Sequence, residues 1–251
     1  MTLQVEAAGD ALILTLHRPD RRHAIDRALA RQLGEAIRAA SAEPRVRGVV
    51  LTASGDDVFV AGGDIREIDQ LTRDGSSGAE ILGMFEDLAI IEQGDLPVVA
   101  AVQGDVFGGG CELLLLCDFV FFEEHASLAF RHAMMGLSPA WGGIARLCER
   151  VGSLEATRLL LTACRIDAAE ALRIGFVNEV VPRGGARDRA IALVRQLSGI
   201  PRTSVSALKH ALRGVREAMR GSSPELERAV FAQRWGGPDH RQALDAFLRR
   251  K

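Results

Sequence analysis

Gly104-Asp-Val-Phe-Gly-Gly-Gly-Cys-Glu-Leu113 is the stretch on which the reading of this chain turns. It follows an apolar strand candidate, Pro97-Val-Val-Ala-Ala-Val102, and runs into Leu113-Leu-Leu-Leu-Cys117, so three glycines and a carboxylate stand at a strand-to-helix turn. A helix start exposes backbone N–H groups with the positive end of the macrodipole behind them, which stabilises negative charge. Glycine adds close access, because without Cβ a carbonyl can approach the backbone. The turn therefore reads as an oxyanion hole with an acid or base, Glu112, beside it.

Outward from that turn, strand and helix signals alternate through the first half of the chain. Residues 3–7 and 11–16 flank Ala8-Gly-Asp10 as a hairpin, and Ile25, Leu29, Leu33, Ala36, Ile37 and Ala40 repeat at helical spacing up to Pro44. Gly48-Val-Val-Leu-Thr-Ala53 has the continuous apolar character of a buried parallel strand. Residues 72–78, rich in Gly and Ser, predict a mobile loop before a helix over 79–93. Strands are expected at 119–122, 127–130 and 176–181, and Asp167-Ala-Ala-Glu170 has the form of a helix cap. Amphipathic helices follow at 186–197, 203–219, 225–235 and 240–248. The chain thus divides into an α/β core over 1–195 and a helical region over 196–251.

Bulk properties narrow the function. With 251 residues, 47% hydrophobic and 25% charged, the chain can bury a sizeable core. A net charge of −2 and scattered basic residues point to no nucleic acid and no anionic membrane. No apolar run reaches the roughly 20 residues of a membrane span, and the start Met1-Thr-Leu-Gln-Val-Glu6 lacks a leader pattern, so a cytoplasmic protein is expected. Cys111, Cys117, Cys148 and Cys164 lack metal-ligand spacing and are expected to be buried thiols, with no metal; Cys111 is the one to watch, because it adjoins the glycine turn.

A second glycine turn, Phe59-Val-Ala-Gly-Gly-Asp-Ile65, also follows a buried strand and opens a helix. Two N–H donors from separate turns are what a thioester or ester oxyanion needs. The familiar glycine-rich motifs fail on spacing: neither turn ends in Gly-Lys-Ser/Thr, Leu113 breaks a dinucleotide fingerprint, and no Gly-x-Ser-x-Gly elbow occurs.

Taken together, Arg18-Pro19 with His23-Ala24, Phe59-x-Ala-Gly-Gly-Asp64, Gly108-Gly-Gly-Cys-Glu112, Gly136-Leu-Ser-Pro-x-Trp-Gly-Gly143 and Ala171-Leu-x-x-Gly-Phe-Val-Asn-Glu-Val-Val181 resemble the crotonase, or enoyl-CoA hydratase/isomerase, superfamily. The resemblance spans nearly the whole chain in order. It implies a crotonase (ClpP-like) fold of repeated β-β-α units, with a helical C-terminal region used for trimerisation and hexamers built as dimers of trimers. It also implies an acyl-CoA substrate, with coenzyme A entering as part of that substrate and no separate cofactor. Position by position, it places the thioester oxygen between the N–H groups of Gly63 and Gly109. Ala61, Asp64 and Ile65 lie on the adenine side of coenzyme A, with Arg66 near its phosphates.

A typical hydratase of that family holds water between two glutamates. Glu112 matches the first, but His132 stands at the second, in Phe130-Arg-His-Ala-Met-Met-Gly136. This arrangement, with the late Trp235-Gly-Gly-Pro238, is similar to the branch containing ethylmalonyl-CoA decarboxylase. There the enolate forms by loss of carbon dioxide, and one donor protonates Cα. The expectation is therefore decarboxylation of a short alkylmalonyl-CoA, with Glu112 orienting the substrate and His132 handling the proton. The alternatives are a 2-enoyl-CoA hydratase or isomerase, and a non-catalytic scaffold that binds coenzyme A or RNA. Trp141 and Trp235 are read as walls of a short acyl pocket. The chain has no tyrosine, which excludes tyrosine-dependent relatives as models.

Overall fold

The computed structural model describes residues 2–249. A hairpin of β1 (Leu3–Ala8) and β2 (Ala11–Leu16) opens the chain, turning at Gly9-Asp10. Helix α1 (Arg27–Ala42) follows, its first turn capped by Asp26, whose carboxylate accepts the Leu29 N–H at 2.8 Å.

From there a unit repeats. β3 (Gly48–Ala53), β4 (Val58–Val60) and α2 (Ile65–Arg73) form the first copy. After α3 (Ala79–Leu88) and α4 (Ile90–Gln93), the second copy is β5 (Val98–Val102), β6 (Asp105–Phe107) and α5 (Gly109–Leu116). The third is β7 (Phe119–Glu123), β8 (Ser127–Ala129) and α6 (Gly143–Thr162), with a 3-10 turn at Ala133–Met135 between them. In each copy the first strand joins a six-stranded sheet, ordered β1-β2-β3-β5-β7-β10. The second joins a four-stranded sheet, ordered β4-β6-β8-β9. The last members are β9 (Ile166–Asp167), α7 (Ala168–Arg173) and β10 (Glu179–Val181). This is the β-β-α repeat that the resemblance implied.

The apolar runs are unbroken because they are covered on both faces. Val49, Leu51, Val98 and Ala100 point into the main core, while Val50, Val99, Ala101 and Phe121 pack against Ala186, Ala190 and Val194 of α8 (Ala186–Leu197). The division drawn at residue 195 falls in the last turn of that helix. Three further helices, α9 (Arg202–Arg220), α10 (Ser223–Arg234) and α11 (Pro238–Leu248), pack back on the same chain. α9 lies on α4 and α6, α10 on α6, and α11 on the 133–135 turn and α2.

Two local expectations change. Residues 72–78 are pinned: the Trp235 indole N–H donates to the Ser76 carbonyl at 2.9 Å, the Ser76 hydroxyl accepts the Gly78 N–H, and Trp235 lies flat on Gly78. The strand expected over 176–181 shortens to Glu179–Val181, because Phe176 turns into the core against Phe130 and Asn178 accepts the Val120 N–H through its side chain. No helix among the described residues is long and apolar enough to cross a membrane.

Candidate active site

The first glycine turn is fixed by a bridge. Ile25 pairs with Gly63 in parallel register, its N–H donating to the Gly62 carbonyl (2.8 Å) and its carbonyl accepting the Asp64 N–H (2.9 Å). In such a pairing the central residue's own N–H points away from the partner strand, so the Gly63 N–H is not used by the bridge. Gly62 stands at φ +111°, a conformation that L side chains rarely adopt.

The second turn leads from β6 into α5. Gly108 donates to the Ala129 carbonyl at 3.0 Å and has no side-chain cap to offer, so α5 begins with open N–H groups. The two turns converge. A Cβ on Gly109 would stand 3.5 Å from the Gly63 nitrogen, and one on Gly62 would stand 3.6 Å from the Gly109 nitrogen.

One helical turn further, Glu112 is 2% exposed. Its Oε1 accepts from His132 Nε2 at 3.0 Å and from the Ala140 N–H at 3.2 Å, and its Oε2 accepts from the Trp141 N–H at 2.8 Å. A carboxylate can only accept, so His132 carries its proton on Nε2. His132 Nδ1 is buried with no hydrogen-bond partner among the described residues. Oε2, with a single donor, keeps a lone pair for a reacting proton. Gly143 is required here, since a Cβ would stand 2.7 Å from Glu112 Oε2.

Trp141 lies against Gly109, where a Cβ would meet its Cζ3 at 2.8 Å. Its indole N–H donates to the Ile81 carbonyl at 2.9 Å. The loop carrying it is held from below by Arg146, whose Nη1 donates to the Trp141 and Gly142 carbonyls. Arg146 and Arg220 share the buried Glu92; burial pushes that carboxyl up, but the bonds and charges of the two guanidiniums outweigh it and hold it below the usual range.

An Enoyl-CoA hydratase/isomerase family model matches residues 6–251. The chain belongs to that family. A short-chain-enoyl-CoA hydratase from Clostridium acetobutylicum is 29% identical over 249 residues, covering 98% of this chain and 94% of the relative. The solved structure of a carnitinyl-CoA dehydratase from Mycobacterium avium is 30% identical, with a TM-score of 0.86 over 98% of this chain and 96% of its own. A methylmalonyl-CoA decarboxylase structure superposes equally well, with a TM-score of 0.87 over 100% of this chain and 96% of its own; at 23% identity it shares the fold.

Against the family pattern, the structure gathers Gly63, Gly109, Glu112, His132 and Trp141 at one point. Asp64 is otherwise engaged: its Oδ1 caps α2 by accepting the Arg66 N–H at 3.1 Å, and its Oδ2 pairs with Arg18 at 2.8 Å. Ala61 donates to the Arg22 carbonyl at 3.0 Å, Ile65 is half-buried, and Arg66 is exposed on the first turn of α2. Trp235 stands one layer out, on Gly78, with the His240 ring tilted against it and ring centroids 5.0 Å apart. His23, where the family commonly has Asn, sits at φ 55° and accepts the Arg18 N–H through Nδ1 at 3.1 Å. Asn also tolerates that conformation and offers the same kind of acceptor. The Cys111 thiol is fully buried and its pKa is pushed far up by that burial, which removes it as a nucleophile.

Sequence reasoning passed over Glu227 and His240. His240 is fully buried, and its Nδ1 accepts the Gly236 N–H at 3.0 Å. Glu227 is buried beneath α10, against the start of α6. Each lies in an amphipathic helix whose pattern reads the same for a solvated charge.

Proposed function

We propose that this chain hydrates, or isomerises, a short 2-enoyl-CoA thioester, with Glu112 as the principal acid and base. One observation carries the reading: a carboxylate with an open lone pair stands one helical turn below two converging N–H donors, and a histidine orients it. The names of its relatives support the same chemistry.

In this mechanism the thioester oxygen lies between the Gly63 and Gly109 N–H groups. Glu112 Oε2 takes a proton from water as the hydroxide oxygen bonds to Cβ. The electrons of the double bond move through Cα onto the thioester oxygen, where the two N–H groups stabilise the enolate. Glu112 then returns the proton to Cα, and water has been added across the double bond. His132 is a positioning residue here, keeping the carboxylate oriented through its Nε2–H. Ala61, Ile65 and Arg66 border the coenzyme A side, while Trp141 limits the acyl side to short chains. Asp64 serves the same side indirectly, by fixing the turn. The exposed stripe Leu208, Leu212, Val215 and Met219 of α9 is the surface that we assign to a trimer contact.

A second reading is supported by His132 itself. With one glutamate where a water-holding pair is usual, the site also suits decarboxylation of an alkylmalonyl-CoA. The C–C bond to the carboxylate breaks, its electrons form the enolate, carbon dioxide leaves, and a doubly protonated His132 gives one proton to Cα, returning to neutral imidazole until solvent supplies the next proton.

Product mass decides between them. Purified protein is offered crotonyl-CoA, methylmalonyl-CoA and ethylmalonyl-CoA. Gain of one water by crotonyl-CoA with intact malonyl thioesters is expected; loss of carbon dioxide from the malonyl compounds with crotonyl-CoA unchanged would overturn it.

A further inference from the structure

Glu227 projects from α10, in the region for which the family resemblance implies oligomer contacts. Its side chain is buried at 4% exposure, yet it faces the catalytic loop of its own chain. Its Oε1 accepts the Ala145 N–H at 2.7 Å and its Oε2 the Ile144 N–H at 3.0 Å. These are open donors of the first turn of α6, which begins after Gly142 and has no side-chain cap of its own.

Immediately upstream, the Ala140 and Trp141 N–H groups hold Glu112. Six residues, 140–145, therefore present four N–H groups to two buried carboxylates, with Gly143 between them. That segment has little stiffness of its own: Gly142 is left-handed at φ +75°, Gly143 follows it, and Gly136 is left-handed at the other end of the loop. Arg146 holds the Trp141 and Gly142 carbonyls from within α6, so whatever fixes the start of α6 also fixes the direction of the Ala140 and Trp141 donors.

We propose that Glu227 is that clamp, a positioning residue that fixes the start of α6 and through it the orientation of Glu112. The assignment rests on Glu112 being the acid/base. It gives the C-terminal helices a part in the chemistry, because α10 must be docked for the catalytic carboxylate to be aimed. The cost of the arrangement is visible in Glu227: burial pushes its carboxyl above the usual range, the two N–H bonds pull it back, and the charge of Glu112 pushes it up again, with Arg146 opposing. A buried carboxylate kept beside another is unfavourable for packing alone.

The test compares Glu227→Gln and Glu227→Ala with the wild-type enzyme on crotonyl-CoA. Gln keeps one acceptor oxygen and the side-chain volume, whereas Ala removes both bonds. The expected order of kcat is wild type, then Gln, then Ala, with Gln lower by about ten-fold and KM within about two-fold, since the substrate contacts are untouched. Unchanged kcat in both variants with a lowered Tm would make Glu227 a packing residue and overturn the clamp. So would a raised KM at constant kcat. If Ala does not fold, Gln carries the test.

If the wild-type protein turns over no crotonyl-CoA, the hydratase reading fails separately. The clamp is then read from amide hydrogen exchange at Ala140 and Trp141. Faster exchange in Glu227→Gln than in wild type supports it, and equal rates overturn it.

Discussion

At Gly63 the chain enters α2 past a helix start already occupied, with Asp64 holding the Arg66 N–H and Arg18 holding Asp64. At Gly109 it enters α5 with no side-chain cap, in a segment whose every residue is buried. Both turns follow a strand of the small sheet, and each contributes one N–H on the proposed reading; at the first a side chain takes the Arg66 N–H of the helix start, whereas at the second no side chain takes any. The capped turn gives geometry: its donor lies upstream of the helix and is aimed by the Ile25 bridge. On the proposed mechanism the open turn gives the chemistry, combining a donor, the positive end of a helix and Glu112 within one turn.

The difference is broken most severely at Glu112. Glu112→Gln removes the acid/base but keeps the volume, and kcat on crotonyl-CoA is expected to fall by about a thousand-fold, within the usual worth of a positioned proton-transfer group. Steady-state kinetics at saturating substrate reads it. A loss smaller than about ten-fold would move the chemistry elsewhere.

Next come the two glycines themselves, for which the structure sets unequal costs. A Cβ on Gly109 meets the Trp141 ring at 2.8 and 3.0 Å, whereas a Cβ on Gly63 meets Ile68 Cδ1 at 3.2 Å. Gly109→Ala should therefore cost about a hundred-fold in kcat, comparable with losing an oxyanion donor. Gly63→Ala should cost less than about ten-fold, since the end of a flexible side chain can give way. Equal losses would show that the turns are not different in kind.

Capping is tested by Asp64→Ala. It strips the first turn of its cap and leaves Arg18 with Asp26 as its acidic partner. A cost of about 2 kcal/mol is expected, or a Tm lower by about 5 °C, with kcat nearly intact. A large loss of kcat at unchanged Tm would give Asp64 a direct part in the chemistry.

Much of this contrast can be seen in the sequence. Gly48–Ala53 and Ala186–Leu197 match their expected bounds, because a strand buried on both faces and a strongly amphipathic helix each impose an unbroken pattern. The two turns are legible because paired glycines beside a carboxylate, set between apolar runs, combine close backbone access with charge in a way that ordinary loops do not. What escaped depends on distant partners or on very short segments. β6 and β9 have three and two residues and include Asp105 and Asp167, too little for a periodic signal. The loop at 72–78 has a flexible composition, and only the arrival of Trp235 from far along the chain pins it. Glu227 looks like any helix-surface glutamate until α6 is seen to begin on it. The reaction was the least legible: one histidine in place of a glutamate pointed to decarboxylation, while the family relationship favours hydration.

The smallest effect concerns what supports each turn as pH falls. The chain reaches Ile25 and its bridge to Gly63 through Arg22 and His23, both left-handed, with the Arg22 carbonyl accepting the Ala61 N–H. His23 is 4% exposed, and burial holds its imidazole below the usual value; a bond to the Ser54 backbone opposes that, and the charges of His17 and Arg18 add to it. The unfolded chain then takes up a proton at His23 before the folded chain does, so the unfolded state binds more protons below about pH 6.5 and stability falls as the solution is acidified. His23→Asn keeps a residue that tolerates the left-handed backbone and an oxygen to accept the Arg18 N–H, but it has no such proton to take up. The variant's Tm is expected to match the wild type within about 2 °C near pH 7 and to decline less steeply toward about pH 5. Some decline should persist, since burial also lowers the pKa of His240. In wild type the same acidification should speed exchange at the Ile25 and Asp64 amides before the Gly108 and Cys111 amides of the second turn. Equal acid sensitivity at both turns, or no change of slope in the variant, would remove His23 as the weak support of the first turn.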